Sequence, residues 1–490
     1  MLKRISVFPL GLILACLALG REEYTRTFDK TLSLQSGERI FLEHRLGDIL
    51  IRTHPQPEVT IHANIRVSAS DSDEAKAFAD RVDIQIQPSA TELSIRTRYP
   101  ERSDHMFGMR NVSYSVRYEL TIPETAPLEV RNSFGAVSVS GLKASSQIIT
   151  SHGSLEFRDG RGAQRLENAF GSIKAENNDG DLAVETTNGS VDAADIKGAL
   201  TVRDRFASIT LQGVSKGVGV TSSNGSVQMT DCGGIGTVRN SFGNVTVHGY
   251  HGDLIVNDTN GMVEATDIEG QAELNTTFGE VRFSNVKRQL SIRANNSRIN
   301  GSNVGGPLTI ENSFGPVTIS DIQGNVHVHS GNGAVSVTNV RGEATVRTSF
   351  GLIQASNIGG PLTVENTNGG VKASNTRGAN VNTSFGPVVL DGIAGPLEIE
   401  NQNGLVDATS TAKGTCEPIL IRTSFSPLRI RLQGEVSYQV TARTSFGKIR
   451  SDFPLSVQGS ISNNSVTGVI GRGQCEMRLT DNNGAIEILK

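Results

Sequence analysis

The sequence predicts an all-β protein: a long parallel β-solenoid with 18-residue rungs, preceded by a β-rich N-terminal cap with one short helix. A Phe-Gly pair recurs every 36 residues, as at Phe242-Gly243, Phe278-Gly279 and Phe314-Gly315. An Asn-Gly pair stands midway, as at Asn260-Gly261 and Asn332-Gly333. Each nine-residue half-unit opens on Gly and carries apolar residues at its third and fifth positions, as in Gly315-Pro316-Val317-Thr318-Ile319. That alternation describes a short strand with one buried face.

Composition agrees. The chain has 490 residues, 53 of them Gly, with no Trp and 5% aromatic residues. Globular cores of this size hold more large side chains. Abundant Gly beside Val, Ile, Asn, Ser and Thr suits short strands and tight turns. The net charge of −4 is spread along the chain. No basic stripe marks a nucleic-acid partner.

Residues 1–20 read as a signal peptide. Lys3 and Arg4 precede an apolar stretch from Ile5 to Leu19, and Ala18-Leu19-Gly20 offers small residues for cleavage. The stretch is short for a membrane-spanning helix and contains Pro9 and Gly11. A second reading takes Leu14-Ala15-Cys16 as a lipoprotein site with Cys16 acylated. Both place the chain outside the cytoplasm: periplasmic, on the cell surface or extracellular. Membrane contact is expected only through a lipidated Cys16.

Residues 21–130 read as the cap. Strands are expected over 28–51, 59–67, 82–97 and 112–122. Asp71-Ser72-Asp73 caps a short helix with apolar positions Ala75, Phe78, Ala79 and Val82. Leu46-Gly47-Asp48 resembles the later rung turns, which puts one rung-like turn inside the cap.

Residues 131–490 read as the solenoid. Two strands with opposed apolar faces make a rung, and only stacking buries those faces. Val317, Val335 and Ile353 then lie in one column. Parallel crossovers default to right-handed coiling. Asp321, Asn339, Asn357 and Asn375 share a turn column in which amides can bond from rung to rung and the left-handed backbone is tolerated. The Phe column (Phe170, Phe206, Phe242, Phe278, Phe314, Phe350) either fills a corner of the core or forms an outer stripe repeating at ~9.6 Å. Exposed Phe promotes aggregation, so the column is expected to face inward. The rhythm breaks after Phe385: the next Phe residues of the series are Phe425 and Phe446, and no polar cap follows Lys490. Cys416 and Cys475 either pair or stay free and buried.

The repeated Asn-Ser-Phe-Gly and Thr-Asn-Gly turns, each followed by Val-x-Val or Val-x-Ala, resemble the bacterial putative-adhesin family of β-strand repeats, a domain of unknown function. Leu46-Gly47-Asp48-Ile49-Leu50-Ile51 and residues 116–135 resemble its usual start. The resemblance covers nearly all of the mature chain. It implies export, a β-solenoid and an adhesive role, and it supplies no catalytic residues.

No catalytic, cofactor-binding or metal-binding residue is assigned, and no cofactor is expected. Gly213-Val214-Ser215-Lys216-Gly217 matches the nucleophile-elbow spacing but sits at a rung turn with no helix after it. His327 and His329 share one outward face without further ligands. Asp195, Asp231 and Asp267 stand two rungs apart, roughly 9.6 Å, too far to share a calcium ion. Rungs with almost no insertions leave little material for a cleft. The expected protein is a non-catalytic adhesin-like or scaffold protein of the cell envelope, not an enzyme. Its solenoid faces would bind a repetitive partner: envelope glycan, a cell surface or a further copy of itself. The alternative is a carbohydrate-active enzyme of β-helix type, a polysaccharide lyase or hydrolase.

Overall fold

In a computed structural model, the described residues are 21–100, 112–412, 416–457, 462 and 464–490. They form a parallel β-solenoid of about 17 turns, preceded by a β-rich region that holds the one described helix. The signal-peptide reading of residues 1–20, and with it lipidation of Cys16, lies outside the described residues. The chain divides into two compact units, residues 1–157 and 158–490.

In the first unit, Glu58–Ala69 lies between Glu22–Ser33 and Ser113–Pro123 in an antiparallel sheet. The helix Ser72–Arg81 begins at Asp71, whose carboxylate accepts from the Glu74 backbone N–H at 2.8 Å. Its buried side chains are Ala75, Phe78 and Ala79, and Phe78 meets the Tyr114 ring at 4.6 Å between centroids. Leu46-Gly47-Asp48 joins two strands of a rung, Arg39–Leu46 and Ile49–His54. One side of that rung carries Leu128–Phe134 and Val137–Ser140 in parallel register. Glu92–Arg98 and Ser113–Pro123 cover the other side.

In the second unit, Leu308–Phe314 and Val317–Ile322 form one rung, and Val326–Asn332 and Val335–Val340 form the next. Leu308 lies over Val326, Ile310 over Val328, Val317 over Val335 and Ile319 over Val337. All these side chains are buried. Full burial of such a side chain contributes about 1.5–3 kcal/mol, and it is the neighbouring rung that provides the burial.

From Asp159 to Gly392, one corner of each rung turns through a left-handed residue. Asp321, Asn339, Asn357 and Asn375 have φ of 61°, 57°, 57° and 55°. Their side chains bond up the stack: Asn339 Nδ2 donates to Asp321 Oδ1 at 2.9 Å, Asn357 to Asn339 at 2.9 Å and Asn375 to Asn357 at 3.0 Å. The amide ladder read from the sequence is present. Gly213, Gly249 and Gly392 adopt the same backbone where the column lacks Asn or Asp.

The broken C-terminal rhythm has a topological cause. Ile419–Arg422 and Leu428–Gly434 form a rung. The strands stacked on it are Cys475–Asp481 and Ile486–Leu489, from the end of the chain. Tyr438–Thr444 and Ile449–Ser451 stack on those in turn. The last rung in sequence is therefore inserted before an earlier one in space. Ser465–Ile470 runs antiparallel along the outer edge of Tyr438–Thr444 and covers it. This corrects the expectation of an uncapped end, because Cys475–Asp481 and Ile486–Leu489 are paired on both sides. Cys416 and Cys475 form a disulfide with Cα atoms 5.7 Å apart, which ties the inserted rung to the segment before Ile419. Cys232 is a free, buried thiol.

Candidate functional site

The Phe column faces solvent, contrary to expectation. Phe278, Phe314 and Phe350 are 49%, 51% and 52% exposed. Counting alternation from Leu308 and Ile310 places Phe314 on the inward side. The alternation ends at Asn312, which is buried inside the corner. Asn312 Nδ2 donates to the carbonyls of Ser297 at 2.9 Å and Gly315 at 3.3 Å. The chain turns there, with Gly315 at φ +113°, and Phe314 is carried outward.

The same device recurs along the unit. Asn240 donates to Gly243 O, Asn366 to Gly369 O and Asn401 to Gly404 O. The hydroxyls of Thr276 and Thr348 donate to the carbonyls of Phe278 and Phe350. At the corner of Phe206, the Asp204 carboxylate accepts from the N–H groups of Phe206 and Ala207 and from the Ser222 hydroxyl. Each buried polar group offers the corner backbone a hydrogen-bond partner from inside the turn. Sequence reading missed this inner column. The available signal was a polar residue two places before each Phe: Asn240, Thr276, Asn312, Thr348 and Thr383.

The exposed positions form a ladder in which Phe and Asn alternate rung by rung. Phe278 pairs with Asn296, Asn296 with Phe314, Phe314 with Asn332 and Asn332 with Phe350. Successive Phe rings stand about 9.6 Å apart, two rungs of ~4.8 Å. From Phe242 to Phe446 the residue before each ring is polar and uncharged, as at Ser241, Thr277, Ser313 and Ser349, whereas Ala169 and Arg205 precede Phe170 and Phe206.

Alternation holds in space where the sequence breaks it. Continued two or three residues past the paired strands, the registers place Asn403 beside Phe425, Phe425 beside Asn483 and Asn483 beside Phe446. Backbone bonds agree: Asn483 N–H donates to Ser424 O at 2.9 Å, and Phe446 N–H donates to Asn482 O at 3.0 Å. The out-of-order rung brings an Asn between two Phe residues only 21 apart in sequence. In the first unit, Phe134 holds the same kind of position. It stacks on His152 at 4.6 Å between centroids, with planes 17° apart.

The other candidates are dispersed. His327 and His329 are exposed on one face; His329 lies between Glu311 and Arg347. Gly213-Val214 ends one strand, and another strand starts at Gly217, so no nucleophile elbow forms. No three His, Cys, Asp or Glu among the described residues gather as a metal site. One shallow groove of about 600 Å³ beside the left-handed corner collects Asp231, His248, His251, Asp267, Glu269 and Lys287. His251 Nδ1 lies 3.2 Å from Glu269, and Lys287 Nζ lies 2.5 Å from it. Lys287, and after it His251, hold the Glu269 carboxyl below the usual carboxylate range. Sequence reading did not find this cluster, because its members come from four rungs and only the 18-residue period relates them.

No family model matches the chain, and no curated protein is similar to it. A solved structure described as a "putative cell adhesion protein" from Clostridium sporogenes is similar over 95% of this chain and 99% of its own, at 7% identity and a TM-score of 0.16. A likeness at that level carries no argument.

Proposed function

We propose that this chain is a non-catalytic, exported, adhesin-like scaffold of the cell envelope that binds a repetitive partner along its Phe/Asn ladder. The observation that carries this reading is the placement of Asn483 between Phe425 and Phe446, set by the backbone bonds from Asn483 N–H to Ser424 O and from Phe446 N–H to Asn482 O. Core packing does not require alternation among side chains that lie in solvent. A surface that meets a periodic partner does. The Cys416–Cys475 disulfide supports export, because such bonds persist in oxidising compartments. The resemblance of the turns to an adhesin-like repeat family supports the adhesive class. The test is binding of the purified protein to cell-envelope fractions, to isolated envelope glycan and to itself. The comparison is a Phe278→Asn/Phe314→Asn/Phe350→Asn variant, with the fold checked by circular dichroism. Binding that weakens with the rings supports the reading. Binding unaffected by their loss, or absent toward every partner, overturns it.

The acidic and basic cluster around Glu269 favours a second reading, a carbohydrate-active enzyme of β-helix type. Release of reducing or unsaturated sugar ends that disappears in Asp267→Asn/Glu269→Gln would replace the first reading with this one.

A further inference from the structure

We infer that the ladder is self-complementary and that its partner is a second copy of this chain, docked antiparallel about a two-fold axis so that the Phe rings of each copy sit over the Asn rungs of the other. This rests on the reading of the ladder as a binding surface and names its occupant.

Size comes first. Phe and Asn alternate, so every ring flanks a gap floored by a smaller side chain that is itself half-exposed or exposed, as at Asn296 and Asn332. A ring placed midway between two Phe rings about 9.6 Å apart lies ~4.8 Å from each, inside the 4.5–7 Å range of favourable aromatic pairs. Phe134 and His152 show that a ring one rung away from a Phe stacks on it at 4.6 Å.

Pitch comes second. The rung spacing fixes the distance between rings. A partner built on any other repeat drifts out of step over successive Phe rungs, whereas a second copy has the same repeat and stays in step. From Ser241 to Asn403 no ionisable residue stands at a ladder position or immediately before one, so two copies meet without opposing like charges along this strip.

Area comes third. The nine ladder Phe residues of the second unit, from Phe170 to Phe446, are each about half-exposed or more. Each half-exposed ring leaves roughly 100 Å² to bury. Eight engaged rings reach the ~800 Å² per partner of a stable interface.

Symmetry selects the arrangement. Two parallel copies related by a two-fold axis along the solenoid bring Phe against Phe at the same level. Parallel copies shifted by one rung make an open, non-closing contact. An axis perpendicular to the solenoid, passing between a Phe rung and an Asn rung, maps every Phe onto an Asn and closes the pair.

The test is sedimentation equilibrium of the purified protein and two variants. Phe278→Asn/Phe314→Asn/Phe350→Asn removes rings, and Asn296→Phe/Asn332→Phe/Asn368→Phe fills gaps. Each residue type already occupies this turn in alternate rungs, so both variants are expected to fold, with melting temperature as the check. The expected result is a wild-type dimer, weakened roughly 100-fold or more on ring removal. Gap filling also weakens it, although it adds apolar surface. A wild-type monomer at tens of micromolar overturns the inference. So does a gap-filled variant that associates as tightly as wild type or more tightly, since that marks unspecific apolar contact. A monomer that binds envelope glycan, and loses that binding with its rings, sinks the self-partner and leaves the ladder reading standing. Failure of every kind of binding sinks both.

Discussion

The side-chain amide of Asn240 donates to the carbonyl of Gly243 at 3.0 Å, and the second of the two residues spanned by that bond, Phe242, stands in solvent. A buried polar group inside the corner thus decides where an aromatic ring outside it points. Asn240→Ala leaves the carbonyl without this partner and opens a gap behind the turn. The expected loss is about 1–3 kcal/mol, read from the urea midpoint. An unchanged midpoint would show that the bond does not hold the turn.

Gly315 tests the same corner from the backbone. Its φ is +113°, and an added Cβ would collide with the carbonyl oxygen of Ser297 on the neighbouring rung. Gly315→Ala is expected to lose at least about 1–3 kcal/mol from strain alone. Wild-type stability in this variant would mean that the rungs pack more loosely than described.

Asp258 stands at the inner corner position behind Asn260, and burial lifts its carboxyl to about 6. Its folded value lies above the ordinary 3.8, so the native state holds the proton more tightly than the unfolded chain. That contribution to stability is complete below pH 3.8 and is lost as pH rises through about 6. Asp258→Asn carries no charge and can donate to the Gly261 carbonyl as Asn240 does to Gly243. The variant should melt near the wild-type temperature at pH 4 and above it at pH 8. A wild-type advantage at pH 8 would contradict this.

The Cys416–Cys475 disulfide closes a segment of 59 residues. Loop-closure entropy for that length is worth about 4 kcal/mol. Cys416→Ser/Cys475→Ser is expected to lose up to that amount, with hydrogen exchange rising first at Cys475–Asp481 and Tyr438–Thr444. Exchange that rises uniformly through the solenoid would argue against a locally tethered rung.

Local repetition made most of the fold legible in sequence. Val317, Val335 and Ile353 recur at 18 residues because each must cover the next, and Asn339, Asn357 and Asn375 recur because the corner needs a left-handed residue that can bond along the stack. Two features were not legible by the same counting. Phe314 has the parity of buried Ile310, and only the role of Asn312 as the corner's interior reverses the expectation. Asn483-Gly484 repeats the Asn-Gly pair of the regular rungs, but its place between Phe425 and Phe446 depends on strands paired across the chain, which no local period encodes. The functional surface is the product of both.

The outward direction of the ladder can be read with one side chain. The chain contains no Trp, so Phe314→Trp gives a single reporter. At nanomolar concentration, where copies are apart, acrylamide quenching of that Trp should match that of a Trp in an unfolded peptide to within about twofold, as the 51% exposure of Phe314 implies. Emission shielded from quencher in the folded protein would place the residue in the core and contradict the ladder.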